Sequence, residues 1–250
     1  MSIFITQLAF INEALIQSSK MMTLLASCLA GLLGFLFYKK KVVIELIKLL
    51  LSLIPMSASL KSNIERKLEH PIEDEHLDML LKLMFKKSFD KKDLLIEEGN
   101  KNNYIYFIEQ GSCFSYLTEA NGEKQVVQFA IEGNWISDLN SFFSEQKAVY
   151  SLEALEPLKT LALNKQNFKK ACDTIPWFDR FFRVLIQNAY ISIQYRLVKT
   201  NSEEIEARYK EFSKLHPHFI QRIPQYLIAS YLGVKPQSLS RMRKETAHKA

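Results

Sequence analysis

The chain has 250 residues, of which 48% are hydrophobic, and this is enough for one large or two small globular domains. Lys and Arg outnumber Asp and Glu by 33 to 27, and the resulting net charge of +6 suits a polyanionic partner without identifying one. Cys28, Cys113 and Cys172 are far apart and form no CxxC pair, so neither a disulfide framework nor an iron–sulfur cluster is indicated. A reducing cytoplasm is the simplest setting.

Residues 1–58 form a hydrophobic, helical N-terminal extension that contains a candidate membrane helix. Met21–Tyr38 is an uncharged apolar run at the lower length limit for a membrane-spanning helix, and Lys39–Lys41 follow it. Lysines on that side would leave the rest of the chain in the cytoplasm, held by an inner-membrane tether. Two other interpretations stay open: a hydrophobic helical cap on the soluble part, or a stretch upstream of a true start at Met56.

A helix followed by a small β-domain is predicted for the middle of the chain. Apolar residues at helical spacing predict one helix over Leu60–Met84. The period then changes to two, and glycines separate short runs that are rich in Tyr, Phe, Val and Ile. These runs predict strands at Asp93–Ile96, Tyr104–Gln110, Cys113–Thr118, Gln125–Ile131, Tyr150–Ala154 and Thr160–Leu163. Many short strands with close turns favour an antiparallel, jelly-roll-like β-roll, and so an α+β fold for the chain.

Pro176 opens a long predicted helix that ends near Lys199 and carries a continuous apolar stripe. The stripe consists of Phe178, Phe181, Phe182, Leu185, Ala189, Ile193 and Leu197. Such a stripe must be buried, either on the β-domain of the same chain or on a partner. Residues 200–202 break the pattern, and a further helix is predicted over Glu203–Lys214.

The C-terminal segment has the layout of a helix-turn-helix. Pro224 suits the start of a short helix because it has no N–H to satisfy, and Gly233 supplies the left-handed residue that ends this helix. Pro236 opens a second helix, in which Leu239 and Met242 face inward. The outer face of this helix is polar and basic, as is typical of a helix that enters the major groove. An ordinary helical pair joined by a glycine turn is the simpler alternative.

The run IASYLGVKPQSLSRMRK, preceded by EEIEARYKEF and HPHFIQRIP, resembles the Crp/Fnr family of bacterial transcription regulators. The resemblance extends from about Ser57 to the end, and the LGV and LSR triplets are its most specific part. It implies a cyclic-nucleotide-binding-like β-roll sensor domain over residues 59–175, a dimerisation helix over 176–200 and a DNA-binding domain over 201–250. It also implies a non-enzymatic homodimer that binds a palindromic operator in double-stranded DNA, with RNA polymerase as a candidate partner.

The resemblance also locates an effector pocket. Family members that bind cyclic AMP hold the ribose with a Gly-Glu pair and neutralise the cyclic phosphate with an Arg. In the matching stretch, Ser137 and Asp138 replace Gly-Glu, and no Arg occurs between residues 100 and 176. Lys147 could replace the guanidinium only as a point charge, and Trp135 is the other candidate pocket residue. We therefore expect that this chain does not bind cyclic AMP in the usual way, which leaves its effector unknown.

Carrying the family pattern onto the second helix of the helix-turn-helix places base contacts at Pro236, Gln237 and Arg241. Pro236 cannot donate a hydrogen bond, Gln237 prefers adenine, and Arg241 prefers guanine. The target sequence should therefore differ from the common family site. Five further residues are better placed to contact DNA phosphates: Lys235, Ser238, Ser240, Arg243 and Lys244.

Two other classes of function compete with a DNA-binding regulator. A metal-dependent barrel enzyme would need His or carboxylate ligands that converge inside the roll, but all five histidines lie outside the predicted strands, which run from Asp93 to Leu163. No metal site, haem or other cofactor is therefore predicted. The second alternative is a membrane-attached sensor or scaffold whose roll binds a ligand and whose C-terminal helices do not read DNA.

Overall fold

The computed structural model describes residues 56–202 and 204–248, which belong to one compact unit. The candidate membrane helix over residues 21–38 lies outside the described residues. In the part of the chain that is described, no helix is both long and apolar enough to cross a membrane.

Two helices open the described chain: α1 (Met56–Leu68) and α2 (Asp74–Leu83). The prediction of a single helix over Leu60–Met84 was wrong. The break follows α1 at Glu69, which has φ 54°, and precedes Pro71. Proline disfavours helical backbone in the residue before it and has no N–H to continue a helix, so a new helix must begin beyond it.

The β-roll consists of two antiparallel sheets, as predicted. Its strands are β1 (Phe85–Phe89), β2 (Leu94–Ile96), β3 (Tyr104–Gln110), β4 (Cys113–Thr118), β5 (Lys124–Ala130), β6 (Trp135–Ile136), β7 (Ser151–Ala154) and β8 (Leu158–Asn164). One sheet has the order β1-β8-β3-β6 and the other β2-β7-β4-β5, so β5 is an edge strand. Helix α3 (Leu139–Ser144) connects β6 to β7. Strands β1 and β6 were not predicted, because β1 contains adjacent lysines and β6 has only two residues.

The remaining helices follow the roll. They are α4 (Lys165–Thr174), α5 (Phe178–Ser202), α6 (Ile205–Leu215), α7 (Pro217–Arg222), α8 (Gln225–Tyr231) and α9 (Pro236–His248). The long helix continues through the predicted break at residues 200–202. A helix start was expected beside Pro217, where α7 begins, but no bounds were predicted for that helix. The other C-terminal helices agree with the prediction to within a few residues.

The core has three layers because both sheets are covered on their outer faces. Tyr106 and Ile108 of β3 lie in the layer between the sheets. Their neighbours Ile105 and Phe107 point to the opposite face, where they pack with α1, α2, α4 and α5. On the second sheet, outward side chains such as Phe114 pack against α6 to α9. The C-terminal helices therefore share a hydrophobic core with the roll.

Candidate functional site

The turn between α8 and α9 is a Schellman motif. The N–H of Val234 donates to the carbonyl of Ala229 at 2.9 Å, and the N–H of Gly233 donates to the carbonyl of Ser230 at 3.0 Å. Gly233 has φ +70°, a conformation that a side chain disfavours, although no atom lies within 4 Å of where its Cβ would be. Backbone conformation alone therefore requires glycine here, and the closed turn fixes the direction in which α9 leaves α8.

Helix α9 has one buried face and one exposed face. Leu239 is 1% exposed and Met242 is 9% exposed, and both pack in the core that α6 and α8 share with the roll. Gln237 and Arg241 are exposed, as is Pro236 at the first helical position. The structure thus places the three predicted base-contacting residues together at the exposed N-terminal part of α9.

The predicted phosphate-contacting residues surround the same face. Lys235 and Ser240 are exposed, whereas Ser238 and Arg243 are half-buried. The side chain of Lys244 lies outside the described residues. The described members of this set therefore lie at the start of α9 or along it, next to the predicted base-contacting residues.

Helix α8 covers the open edge of the roll. The Oγ of Ser230 accepts a hydrogen bond from the N–H of Val126 and donates one to the carbonyl of Lys124, both at 2.9 Å. Both backbone groups belong to β5, whose outer edge would otherwise have unpaired groups. Helix α8 is therefore attached to the roll by two hydrogen bonds of one side chain, at the edge where a further strand could otherwise pair.

A second polar contact joins α7 to the roll. Arg222 makes a bidentate pair with Glu132, at 2.8 and 2.9 Å, and also contacts Glu156. Burial would raise the pKa of Glu132, but hydrogen bonds from Arg222 and from the N–H of Gly111 outweigh burial and lower that pKa below its ordinary value. This pair is the most strongly bonded ionic contact between the roll and the C-terminal helices that the structure describes.

Aromatic side chains complete the contact between the roll and the C-terminal helices. The ring of Phe129 on β5 packs against Phe219 on α7 and Tyr231 on α8, with centroid distances of 5.8 and 5.3 Å. Arg196 of α5 donates to the carbonyl of Val127 at 2.5 Å and lies over the Tyr231 ring. Three helices are therefore anchored on one edge strand.

The predicted effector pocket contains an internal anion. Asp138 is fully buried, and its two carboxylate oxygens accept hydrogen bonds from the N–H of Ser141 at 2.9 Å and of Val149 at 2.8 Å. The first of these bonds caps the N-terminus of α3, where a carboxylate is favourable. Burial and the negative charge of Asp138 raise the pKa of the neighbouring Tyr150. These two backbone donors are thus already occupied by a carboxylate of the chain itself.

Neighbouring polar groups in this region also bond to each other. Ser137 accepts from the side-chain amide of Asn102 and donates to the carbonyl of Tyr104, both at 2.8 Å. The hydroxyl of Tyr150 donates to the carbonyl of Ser137 at 2.7 Å. Every hydrogen-bonding group named here has a partner within the chain, so the network is complete without a ligand.

The other two residues assigned to the pocket lie elsewhere. Trp135 packs between Phe107 and Phe181, and its Nε1 donates to the side chain of Asn63 at 3.1 Å. It is part of the core between the roll and the helices. Lys147 is exposed to solvent. The structure therefore brings together Ser137 and Asp138 only.

Helix α5 has a buried first half and an exposed second half. Phe178, Phe181 and Phe182 of the predicted stripe lie in the core beside the roll, and Leu185 packs at its edge. Ala189, Ile193 and Leu197 are exposed. Further apolar residues are exposed around them: Tyr190, Ile191, Tyr195 and Val198. Only the second half of the stripe is thus available to a partner.

The sequence did not predict a role for several residues whose contacts hold these sites in place. They are Ser230, Arg222, Glu132, Arg196, Asn102 and Val149. Each makes its decisive contact with a residue distant in sequence, such as the Ser230 contact with Val126, so local spacing carries no signal for it. Among the described residues no group of His, Cys, Asp and Glu could hold a metal ion.

Comparison with known proteins agrees with the architecture of the roll. Residues 86–174 match the family model of the cyclic nucleotide-binding domain. This match and the two antiparallel sheets confirm the predicted cyclic-nucleotide-binding-like β-roll. No curated protein sequence matches the chain significantly.

Solved structures resemble a larger part of the chain. FixK2 from Bradyrhizobium japonicum has a TM-score of 0.58 and 15% identity, over 66% of this chain and 85% of that chain. The c-di-GMP responsive global regulator CLP from Xanthomonas campestris has a TM-score of 0.56 and 11% identity, over 71% and 93%. A CooA mutant from Carboxydothermus hydrogenoformans has a TM-score of 0.55 and 16% identity, over 68% and 79%. These neighbours are Crp/Fnr-type regulators, and at such identities the likeness is one of fold.

Proposed function

We propose that this chain is a homodimeric, sequence-specific DNA-binding transcription regulator and not an enzyme. The observation that carries the proposal is the unit of α8, the Gly233 turn and α9. Its turn is closed by hydrogen bonds, Leu239 anchors one face of α9, and Gln237 and Arg241 are exposed on the other. A polar, basic helix held in this way suits the width of the major groove.

The base contacts would come from the exposed start of α9. Arg241 would pair with the O6 and N7 atoms of a guanine, and Gln237 with the N6 and N7 atoms of an adenine. Pro236 would contribute shape and apolar contact only, since it has no N–H. Lys235, Ser238, Ser240, Arg243 and Lys244 would position the helix through phosphates, which adds affinity without adding sequence preference.

A second copy of the chain is the proposed partner of the exposed half of α5. Tyr190 is 61% exposed, Ile193 and Leu197 are each 57% exposed, and Val198 is 60% exposed. An apolar surface over more than two helical turns is suited to pairing with an identical helix along a seam. Two-fold pairing would place two recognition helices on half-sites about one DNA turn, or ~34 Å, apart.

Cyclic AMP is not the expected effector. The buried carboxylate of Asp138 already accepts the backbone bonds of Ser141 and Val149, and its charge would repel a cyclic phosphate. Residues 100–176 contain no Arg that could neutralise that phosphate. Calorimetric titration with micromolar cyclic AMP should show no saturable heat, and saturation would overturn this part of the proposal.

Binding to duplex DNA separates this proposal from a membrane-attached sensor or scaffold. A regulator that neutralises six or more phosphates should lose about 10³-fold in affinity between about 50 and 200 mM salt. A scaffold whose C-terminal helices serve only for packing should not bind duplex DNA in this salt-dependent way. A mobility-shift titration at several salt concentrations therefore tests the proposed function directly.

A further inference from the structure

A cavity of about 110 Å³ lies where α5, α6 and α8 meet. It is distinct from the region around Asp138, and it lies between the long helix and the helix-turn-helix. Arg196 and Tyr195 line it from α5, Arg208 and Glu211 from α6, and Tyr231 from α8. A ligand in this cavity would touch the segments that set the position of α8 relative to α5.

The lining of the cavity is predominantly cationic. Arg196, Lys199 and Arg208 line it together with a single carboxylate, that of Glu211. Glu211 accepts from the hydroxyl of Tyr195 at 2.8 Å and lies 3.6 Å from the Nζ of Lys199, so its charge is already balanced. His216 adds no charge at neutral pH, because burial lowers the pKa of its ring.

The two guanidinium groups have spare hydrogen-bonding capacity. Arg196 donates to the carbonyl of Val127 and Arg208 to the carbonyl of Leu232, at 2.5 and 2.8 Å, and both acceptors are neutral. The Nε of Arg208 is buried and has no hydrogen-bond partner among the described residues. Buried donors without an acceptor are rare in folded proteins, and a guanidinium group is well matched to a carboxylate or phosphate.

We propose that this cavity binds a small oxyanion, a carboxylate or a phosphate group, between Arg196 and Arg208. The volume of about 110 Å³ is large enough for such a group. The rings of Tyr195 and Tyr231 and the apolar side chain of Phe212 form the other walls, so a short apolar body attached to the anion would also be accommodated.

The oxyanion would act as an effector, and this consequence rests on the proposed function. Arg196 is bonded to β5 and stacks on Tyr231, while Arg208 is bonded to the carbonyl of Leu232, the C-cap residue of α8. An anion that bridges the two would join α5 to α6 and α8. It shifts DNA affinity to the extent that it binds more tightly to one arrangement of these helices than to another.

The test is an NMR titration of the full chain that follows the Nε–H resonances of arginine. Sodium acetate and sodium phosphate are added in separate arms, with sodium chloride at matched ionic strength as the reference. The Arg196 and Arg208 resonances should move saturably in at least one arm, and the arm that saturates identifies the carboxylate or the phosphate as the preferred group. Absence of saturation in both arms would overturn the proposal.

Two variants on α6 test the site: Arg208→Lys changes the cavity lining, and Lys214→Ala is its matched control. Arg208→Lys keeps the charge and removes the planar fork, so the midpoint of the Arg196 shift should rise about tenfold. Lys214→Ala removes an exposed positive charge on the same helix, outside the cavity lining, and should leave the midpoint within about twofold. Equal midpoints in Arg208→Lys and the natural chain would contradict the site.

Failure of this inference is distinguishable from failure of the proposed function. A chain that binds duplex DNA but shows no saturable anion shift would refute the cavity alone. A chain that binds the anion but no DNA would refute the regulator and leave the cavity as a binding site. Repeating the DNA titration with the saturating anion present then measures the coupling between the two sites.

Discussion

The hydroxyl of Ser230 on α8 accepts the hydrogen bond of the Val126 N–H on β5 at 2.9 Å. This bond, with the one to the carbonyl of Lys124, joins α8 to the edge of the β-roll. A change in the roll can therefore reach α8 and α9 through contacts at β5, as well as through the continuous chain of α5.

Replacing Ser230 should loosen this attachment. Ser230→Ala leaves a partly buried N–H and carbonyl of β5 without their partner, so the free energy of unfolding should fall by about 1–2 kcal/mol. Urea denaturation of the purified protein measures the difference. Ser59→Ala, at an exposed position on α1, is the matched control and should change stability by less than about 0.5 kcal/mol. Equal effects of the two changes would contradict the role given to Ser230.

The pair between Arg222 and Glu132 should make stability depend on pH. The pKa of Glu132 is lowered in the folded state, so the stabilisation is complete above its unfolded pKa of about 4.3. It is lost as the pH falls through the lower folded pKa. Denaturation midpoints of the natural chain and of Glu132→Gln should therefore differ at pH 7 and converge at pH 2–3. A constant difference over that whole range would contradict this account.

Two glycines should respond differently to the same substitutions. Gly233→Ala should cost about 1–2 kcal/mol because φ is +70°, and Gly233→Asn should cost less because Asn tolerates left-handed backbone. At Gly111 a Cβ would lie 2.5 Å from the carbonyl oxygen of Pro157, so Asn should give no such relief. Thermal unfolding of the four variants compares the two positions. Similar costs for Ala and Asn at Gly233 would show that space, and not backbone conformation, requires glycine there.

Charges on the exposed half of α5 should dissociate the proposed homodimer. Ile193→Glu and Leu197→Glu each place two carboxylates in a two-fold interface, so the dimer dissociation constant should rise by roughly 100-fold or more. Sedimentation velocity at micromolar concentration measures the change. Leu94→Glu, at an exposed apolar position on β2, is the control and should leave the association state unchanged. Dissociation by Leu94→Glu alone would locate the interface on the roll instead.

Local sequence patterns, such as alternating apolar residues and glycine positions, predicted much of the fold. Alternating Tyr, Phe and Ile residues predicted β3, and Gly233 between two short helices predicted the turn before α9. The sequence did not reveal how the apolar stripe of α5 is divided, because helical periodicity indicates burial without indicating the partner. Phe178 and Phe181 meet the roll, whereas Ile193 and Leu197 are left exposed.

The candidate sites were predicted less completely than the fold. The substitution at Asp138 was visible in the sequence, but its role as an internal anion depends on Val149, which lies 11 residues further along the chain. The docking of α8 depends on contacts over 104 residues between Ser230 and Val126. Such pairings arise from tertiary packing, and no single segment contains the information for them.

The proposed reading of DNA by α9 in a homodimer can be tested by selecting duplexes from a random pool. The natural chain should enrich a palindrome with half-sites about one helical turn apart. Arg241→Ala should lose about 1–3 kcal/mol of affinity and relax base preference at one symmetric pair of positions. Enrichment of no sequence by intact dimers, or a palindrome unchanged by Arg241→Ala, would contradict the account.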